Sequence, residues 1–321
     1  MIEYMYVGGY SNCINICEFK QGRLKIVSTS EHIKNPSYLH INKGFLYAVC
    51  ENDNGSIAAF KIIKDKIKLI NSKYINEKLP CYLATDKYRN NLLIANYNSG
   101  SIIMFELKNN GDIGRQKYKQ KYNEAAHIHF ADFIGDNIYA IDLGNDMVYV
   151  YDDKMNLLSK IKLKKECGPR HLAVSNDEKR IYVVTEYSNE IYTFNVDKNR
   201  FDILQCTSTI CDKSIESYAG AIKITGDNKY VYVTNRGEDS ISVFENNGND
   251  LKMIQNISSY GKFPRDITLN STEEYILVAN QLSNNIVTFK RNTNNGKLSI
   301  IENADVEIIR PSCIVRSVYE V

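Results

Sequence analysis

The chain of 321 residues contains no tryptophan, no excess of either charge and no apolar run long enough to cross a bilayer. Each absence removes a class of protein. Forty basic against 38 acidic residues leave a net charge of +2, far from the basic stripe a nucleic-acid binder needs. No window approaches the roughly 18 apolar residues of a membrane helix. The first residues, Met1-Ile2-Glu3-Tyr4-Met5-Tyr6-Val7, lack the basic start and long apolar stretch of a secretory signal. Among the eight cysteines there is no CxxC spacing, and the only close pairs, Cys13/Cys17 and Cys206/Cys211, have no histidine beside them. Reduced, structural thiols in a cytoplasmic protein are therefore expected. No segment keeps a 3.6-residue apolar stripe for three turns, so helix is nearly absent.

What the sequence does hold is tyrosine and repetition. Many of the 23 tyrosines sit in β-branched runs such as Ile181-Tyr182-Val183-Val184 and Val231-Tyr232-Val233-Thr234, where a flat amphipathic ring suits a half-buried strand. One pattern recurs: an opening Pro or small residue, a short apolar strand, a turn, a Tyr-rich strand, a polar tip, and a strand closed by an aromatic. It runs from Pro36 to Phe60, Pro80 to Phe105, Ala126 to Tyr151, Pro169 to Phe194, Ala219 to Phe244 and Pro264 to Phe289. The closing aromatics are 45, 46, 43, 50 and 45 residues apart, a period that means four-stranded blades. A further segment after each closer, such as Ile67 to Ile75, supplies the outer strand.

Six full repeats leave two fragments. The N-terminal piece, Tyr4 to Tyr10 and Ile14 to Phe19, lacks an opening strand; the C-terminal piece, Pro311 to Val318, has nothing else. Together they complete a seventh blade. The expected fold is all-β, one seven-bladed β-propeller domain over 1–321, closed by pairing the C-terminal strand with the N-terminal blade. Closure hides two sheet edges that would otherwise invite aggregation. The missing Trp-Asp and Gly-His signatures argue against a WD-repeat platform, and the missing Gly pair and Trp argue against kelch. A closed ring needs no partner, so a monomer is the default.

In such blades the loop entering the innermost strand and the loop leaving the second strand lie on one face. The tips Glu51, Asn96, Asp142, Glu186, Asn235-Arg236 and Asn280 therefore gather at one channel mouth with His127, His129, Arg170 and Arg265 from the openings. Arg, Glu and His converging there suit a small anionic ligand. Asn96, Asp142, Asn235 and Asn280 have an alternative role as turn residues that satisfy backbone groups. The arginines are harder to assign to structure, because buried guanidinium groups need a carboxylate or a ligand. His127-x-His129 is half a metal site with no third ligand, so no metal and no cofactor are expected.

The stretches Gly168-Pro169-Arg170-His171-Leu172-Ala173, Asn235-Arg236-Gly237-Glu238-Asp239-Ser240-Ile241, Phe263-Pro264-Arg265-Asp266 and Asn295-Gly296-Lys297-Leu298 resemble the propeller-type lactonase family, which includes 6-phosphogluconolactonase-like and carboxy-muconate lactonising enzyme-like members. The resemblance covers essentially the whole chain. It implies a catalytic set of His127 or His129, Arg170, Glu186 and Arg236, while the converging tips and openings make Arg265, Glu51, Asn96, Asp142, Asn235 and Asn280 the substrate-binding candidates. It also implies hydrolysis of a small anionic sugar lactone, with Glu186 or His129 as general base. Rival functions are muconate-type lactone cyclisation or opening, a calcium-dependent lactonase using Glu51, Asn96, Asp142 and Asn280, and a non-catalytic scaffold. One departure stands out. The family often shows Ala-Glu-Ile before the Asn-Arg-Gly blade tip, where this chain reads Gly220-Ala221-Ile222.

Overall fold

The second strand of each blade has an apolar centre, as in Leu46-Tyr47-Ala48-Val49 and Leu92-Leu93-Ile94-Ala95, and every one of these residues is buried. Strands covered on both faces read as continuous apolar runs. The outermost strands, such as Lys66–Tyr74, alternate instead, because one face meets solvent. The computed structural model describes residues 2–31 and 33–317, which form 29 strands and no helix. They make seven antiparallel sheets in sequence order, the blades of a β-propeller. The closing aromatics Phe60, Phe105, Tyr151, Phe194, Phe244 and Phe289 are at most 5% exposed. Truncating a buried ring of this size typically costs about 3–5 kcal/mol.

Blade 1 is built from both chain ends. Pro311–Arg316 is its inner strand and pairs with Glu3–Gly9, which is followed by Cys13–Lys20 and Arg23–Glu31. Val318, the last residue of the expected C-terminal piece, lies outside the described residues. Blade 7 departs slightly from the four-strand plan. Its outer strand is broken into Leu298–Ile300 and Val306–Glu307, both paired with Asn285–Arg291.

The fourth blade corrects the repeat alignment. Ala126 is not its opener; Ile128 takes the place that proline holds elsewhere, pairing with Asp142 as Pro80 pairs with Asn96. The cause is a shorter first hairpin. Ile134 pairs with Asn137 across two residues, whereas Thr85 pairs with Leu92 across six. Counting back a fixed distance from Tyr151 therefore overshoots the opener by two residues.

Below the mouth the channel is closed by rings from successive inner strands. Tyr38 lies 4.2 Å from Tyr82, Tyr82 4.4 Å from Phe130, and the His171 ring 5.5 Å from Tyr82. Beneath them the Tyr82 hydroxyl donates to Asp132 at 3.1 Å. Burial pushes the Asp132 carboxyl up to about 7, against the opposing pull of the Phe133 N–H, the Tyr82 hydroxyl and the Lys223 charge.

Two consequences can be measured. Deleting the chain from Pro311 onward exposes the inner edge of Glu3–Gly9 and should abolish cooperative melting. An acid whose pKa rises on folding loses stability as pH climbs from its unfolded value, about 4, through its folded one. Asp132→Asn, which can still accept from Tyr82, should match the wild-type melting temperature near pH 4. It should exceed the wild type by pH 8, as differential scanning calorimetry would show.

Candidate active site

Two backbone positions, repeated around the ring, bring side chains to the channel axis at the entry mouth. The first is created by a bulge. Directly after the opener, the inner strand skips a residue in its pairing with the second strand, at Ser312, Cys81, His129, Arg170 and Arg265, and at the pair Gly220-Ala221 in blade 6. A bulged residue leaves the ladder, and its side chain is re-aimed. In blade 2, Ser37 precedes the inner strand Tyr38–Asn42 at the equivalent place. The second position is the tip residue just past the last deeply buried residue of the second strand. In blade order these are Tyr10, Glu51, Tyr97, Leu143, Glu186, Arg236 and Gln281.

This geometry divides the residues expected at the site. Arg170, Arg236 and Glu186 come together: Glu186 Oε2 lies 3.0 Å from Arg170 Nε and 2.9 Å from Arg236 Nη2. Both guanidinium groups also donate to backbone, Arg170 Nη1 to the Gly220 carbonyl at 2.9 Å and Arg236 to the carbonyls of Tyr218 and Ala219. Gly220 permits this closeness, since a Cβ there would stand 2.6 Å from Thr234 Oγ1. Arg236 also rests on the Phe263 ring. On the other side of the mouth Arg265 Nη2 donates to the Tyr10 hydroxyl at 2.7 Å, which donates in turn to Glu51 Oε2 at 3.0 Å.

His129 and His127 separate. His129 is buried among the arginines, its Nδ1 without a protein hydrogen-bond partner. His127 lies on the rim, stacked on Tyr97 with centroids 4.5 Å apart. Asn96, Asp142, Asn235 and Asn280 do not join the arginines at the mouth. All four are fully buried, one residue out of phase with the tips, and alternation turns them into the blade. Asn96 donates to Ser101, Asn235 to Thr209 and Ser240, and Asn280 to the Ser259 carbonyl, while Asp142 accepts the N–H groups of His127 and Asn145. Among the described residues, no three His, Cys, Asp or Glu side chains gather as a metal site would require.

The electrostatics follow from burial. Burial alone would raise the Glu186 carboxyl, but Arg236 and Arg170 outweigh it and hold it below its ordinary value. Burial and then the Arg236 charge push Arg170 down to about 9, which leaves it charged at neutral pH. Burial, followed by Arg170 and His171, drives His129 well below the usual histidine range, so its imidazole is neutral. Beside His129, Arg170, Glu51, Cys81 and Arg265 lies a cavity of about 10 Å³, roughly the room one water needs. Ala221, at the departure from the family pattern, is buried in an apolar cluster with Tyr232 and Ile241. The carboxylate that orients the two arginines is supplied by Glu186.

Tyr10 and Cys81 were not expected here. The signal for both was positional: Tyr10 follows Gly8-Gly9 at a blade tip, and Cys81 follows an opening proline as Arg170 and Arg265 do.

Residues 4–316 match the family described as Lactonase, 7-bladed beta-propeller. The chain belongs to that family. It is 32% identical to the 6-phosphogluconolactonase of Bacillus subtilis (strain 168) over 303 residues, covering 87% of this chain and 86% of that one. It is likewise 32% identical to the 6-phosphogluconolactonase of Formosa agariphila over 332 residues, covering 92% and 94%. Among solved structures, a protein from Lactobacillus plantarum superposes with a TM-score of 0.93 at 30% identity, covering 99% of this chain and all of that one. Membership makes this lactonase-family chain a hydrolase of the lactonase class.

The clamp itself can be tested by stability. Removing one partner of a buried ion pair strands the other charge, at about 3–5 kcal/mol. Glu186→Ala should therefore lower stability in denaturant melts by an amount of that order, because it strands two guanidinium groups. Glu186→Gln, which keeps an acceptor oxygen, should lose less.

Proposed function

We propose that this protein hydrolyses a sugar lactone bearing an anionic substituent, with 6-phosphogluconolactone the best-fitting substrate. The carrying observation is the gathering of two buried guanidinium groups, Arg170 and Arg236, and the half-buried Arg265 around one mouth. Among the described residues, Glu186 and Glu51 are the carboxylates tied to them, Glu51 through Tyr10. The nearby Asp266 carboxylate sits one residue deeper and accepts the Ile314 N–H. An anionic ligand relieves an arrangement that is otherwise costly to bury. The names of the Bacillus and Formosa relatives support the same substrate class.

Hydrolysis adds water to the lactone carbonyl carbon and breaks the ring C–O bond. The ring oxygen takes a proton to become a hydroxyl, the carbonyl becomes a carboxylate, and one proton is released. Arg170 and Arg236, fixed by Glu186 and by backbone carbonyls, face the oxygen on which negative charge builds. Preorganised donors of this kind contribute about 3–4 kcal/mol each to the transition state. Glu186 is committed to both arginines and has suppressed basicity, so its role is to hold them. His129 is the base. It is neutral, its Nδ1 has no protein partner, and it borders the water-sized cavity. An arriving anion offsets the arginine charges that depress its basicity, bringing the imidazole nearer to what proton removal requires.

The direct test is the rate of 6-phosphogluconolactone hydrolysis with spontaneous opening subtracted. Wild type should exceed background, Arg170→Ala should reduce kcat about 10²–10³-fold, and His129→Gln should lose about 10²-fold or more. A base must be deprotonated, and His129 titrates below the usual histidine value. The kcat/KM profile should therefore stay level as pH falls through 6.5 and decline only at lower pH. Wild-type rates at background would overturn the assignment of this substrate.

A further inference from the structure

All five prolines of the chain open blades, and the residue before each has a left-handed backbone: Asn35, Leu79, Gly168, Phe263 and Arg310. The conformation belongs to the blade entrance and fixes where that residue's side chain leaves the chain. In two neighbouring blades it aims at the mouth. Phe263 of blade 7 lays its ring under the Arg236 guanidinium, whose central carbon is 5.2 Å from the ring centroid. Arg310 of blade 1 places its own guanidinium carbon 5.2 Å from the Tyr10 centroid.

Arg310 is held through both of its backbone polar groups. Its N–H donates to Asn284 Oδ1 at 2.8 Å, its carbonyl accepts the Tyr10 N–H at 3.0 Å, and Gly9 packs so closely that a Cβ would stand 2.3 Å from that carbonyl. The side chain is exposed, and among the described residues no carboxylate lies within ion-pair distance of it. The Tyr10 ring is meanwhile shared with a second cation, Arg265, whose guanidinium carbon is 5.3 Å from the same centroid. Tyr10 and Glu51 serve Arg265, leaving the charge of Arg310 uncompensated at the rim. Two cations gathered on one ring raise the local positive potential, and a planar guanidinium with free donors is suited to bidentate binding of a phosphate.

We infer that Arg310 is a specificity-determining residue that takes the phosphate of a phosphorylated sugar lactone whose carbonyl sits at Arg170 and Arg236. This rests on the lactone hydrolysis proposed above. It assigns the two sides of the mouth different tasks: the Arg170–Glu186–Arg236 side acts on the ester, and the Tyr10 side selects the charged substituent.

The experiment compares wild type with Arg310→Met on 6-phosphogluconolactone and on unphosphorylated gluconolactone. A charge-assisted contact of this class corresponds to about a 10- to 100-fold preference. The ratio of kcat/KM for the phosphorylated over the plain lactone should fall by that factor in Arg310→Met, and by less in Arg310→Lys. An unaltered ratio overturns the inference. Should wild type hydrolyse neither lactone, the proposed activity fails while the anion site is still decided by titration calorimetry with 6-phosphogluconate and gluconate. A preference for the phosphorylated acid that Arg310→Met loses sustains it. Equal binding of both acids by both proteins refutes it.

Discussion

A one-residue slip at the start of the inner strand shapes everything that happens at the channel mouth. Without it, strict alternation would point the residue after the opener into a neighbouring blade, where an arginine has no place. With it, five blades turn Ser312, Cys81, His129, Arg170 and Arg265 out of the ladder to line one small cavity, while in blade 6 the skipped pair Gly220-Ala221 leaves room for the Arg236 side chain. The rest of the ring serves this slip. The apolar centres of the second strands and the buried closing aromatics hold each blade rigid enough to fix its bulge, and blade 1 joins the chain ends so that the circle of positions is complete.

Three arginines crowded at one mouth would be expensive to fold without compensation, and the compensation comes from different blades. Glu186 of blade 5 reaches Arg170 of its own blade and Arg236 of blade 6, while Glu51 of blade 2 reaches Arg265 of blade 7 only through Tyr10 of blade 1. Site and fold are therefore coupled. The residues that prepare the mouth for an anion also tie blades 5 and 6, and blades 7, 1 and 2, across the channel.

Much of the fold was legible because a propeller repeats. The closing aromatics, the opening prolines and the two incomplete end fragments sufficed for seven blades and for the joined ends. The fourth opener was misplaced because its hairpin turn is four residues shorter than that of blade 3, and spacing alone cannot show where the length is lost. At the site, Arg170, Arg236 and Glu186 were legible from their motifs. For Asn96, Asp142, Asn235 and Asn280 the motifs leave a ligand role and a turn role open, since a list of tip residues does not say which member of a pair faces the axis. All four are buried and hydrogen-bonded within or beside their blades. Tyr10 and Arg310 were invisible for a topological reason. They lie 300 residues apart and meet only when blade 1 closes.

Whether the arginine cluster is a binding site or only a plug for the channel is decided most directly by melting the double variant Arg170→Ala/Arg236→Ala with and without 6-phosphogluconate. Removing both arginines strands the Glu186 carboxylate and should lower the melting temperature on either reading, so the ligand response decides. A site predicts that the wild type gains melting temperature from the ligand while the variant does not. A variant that melts well below a wild type indifferent to the ligand would show that the cluster exists to hold the ring together, and would contradict the account.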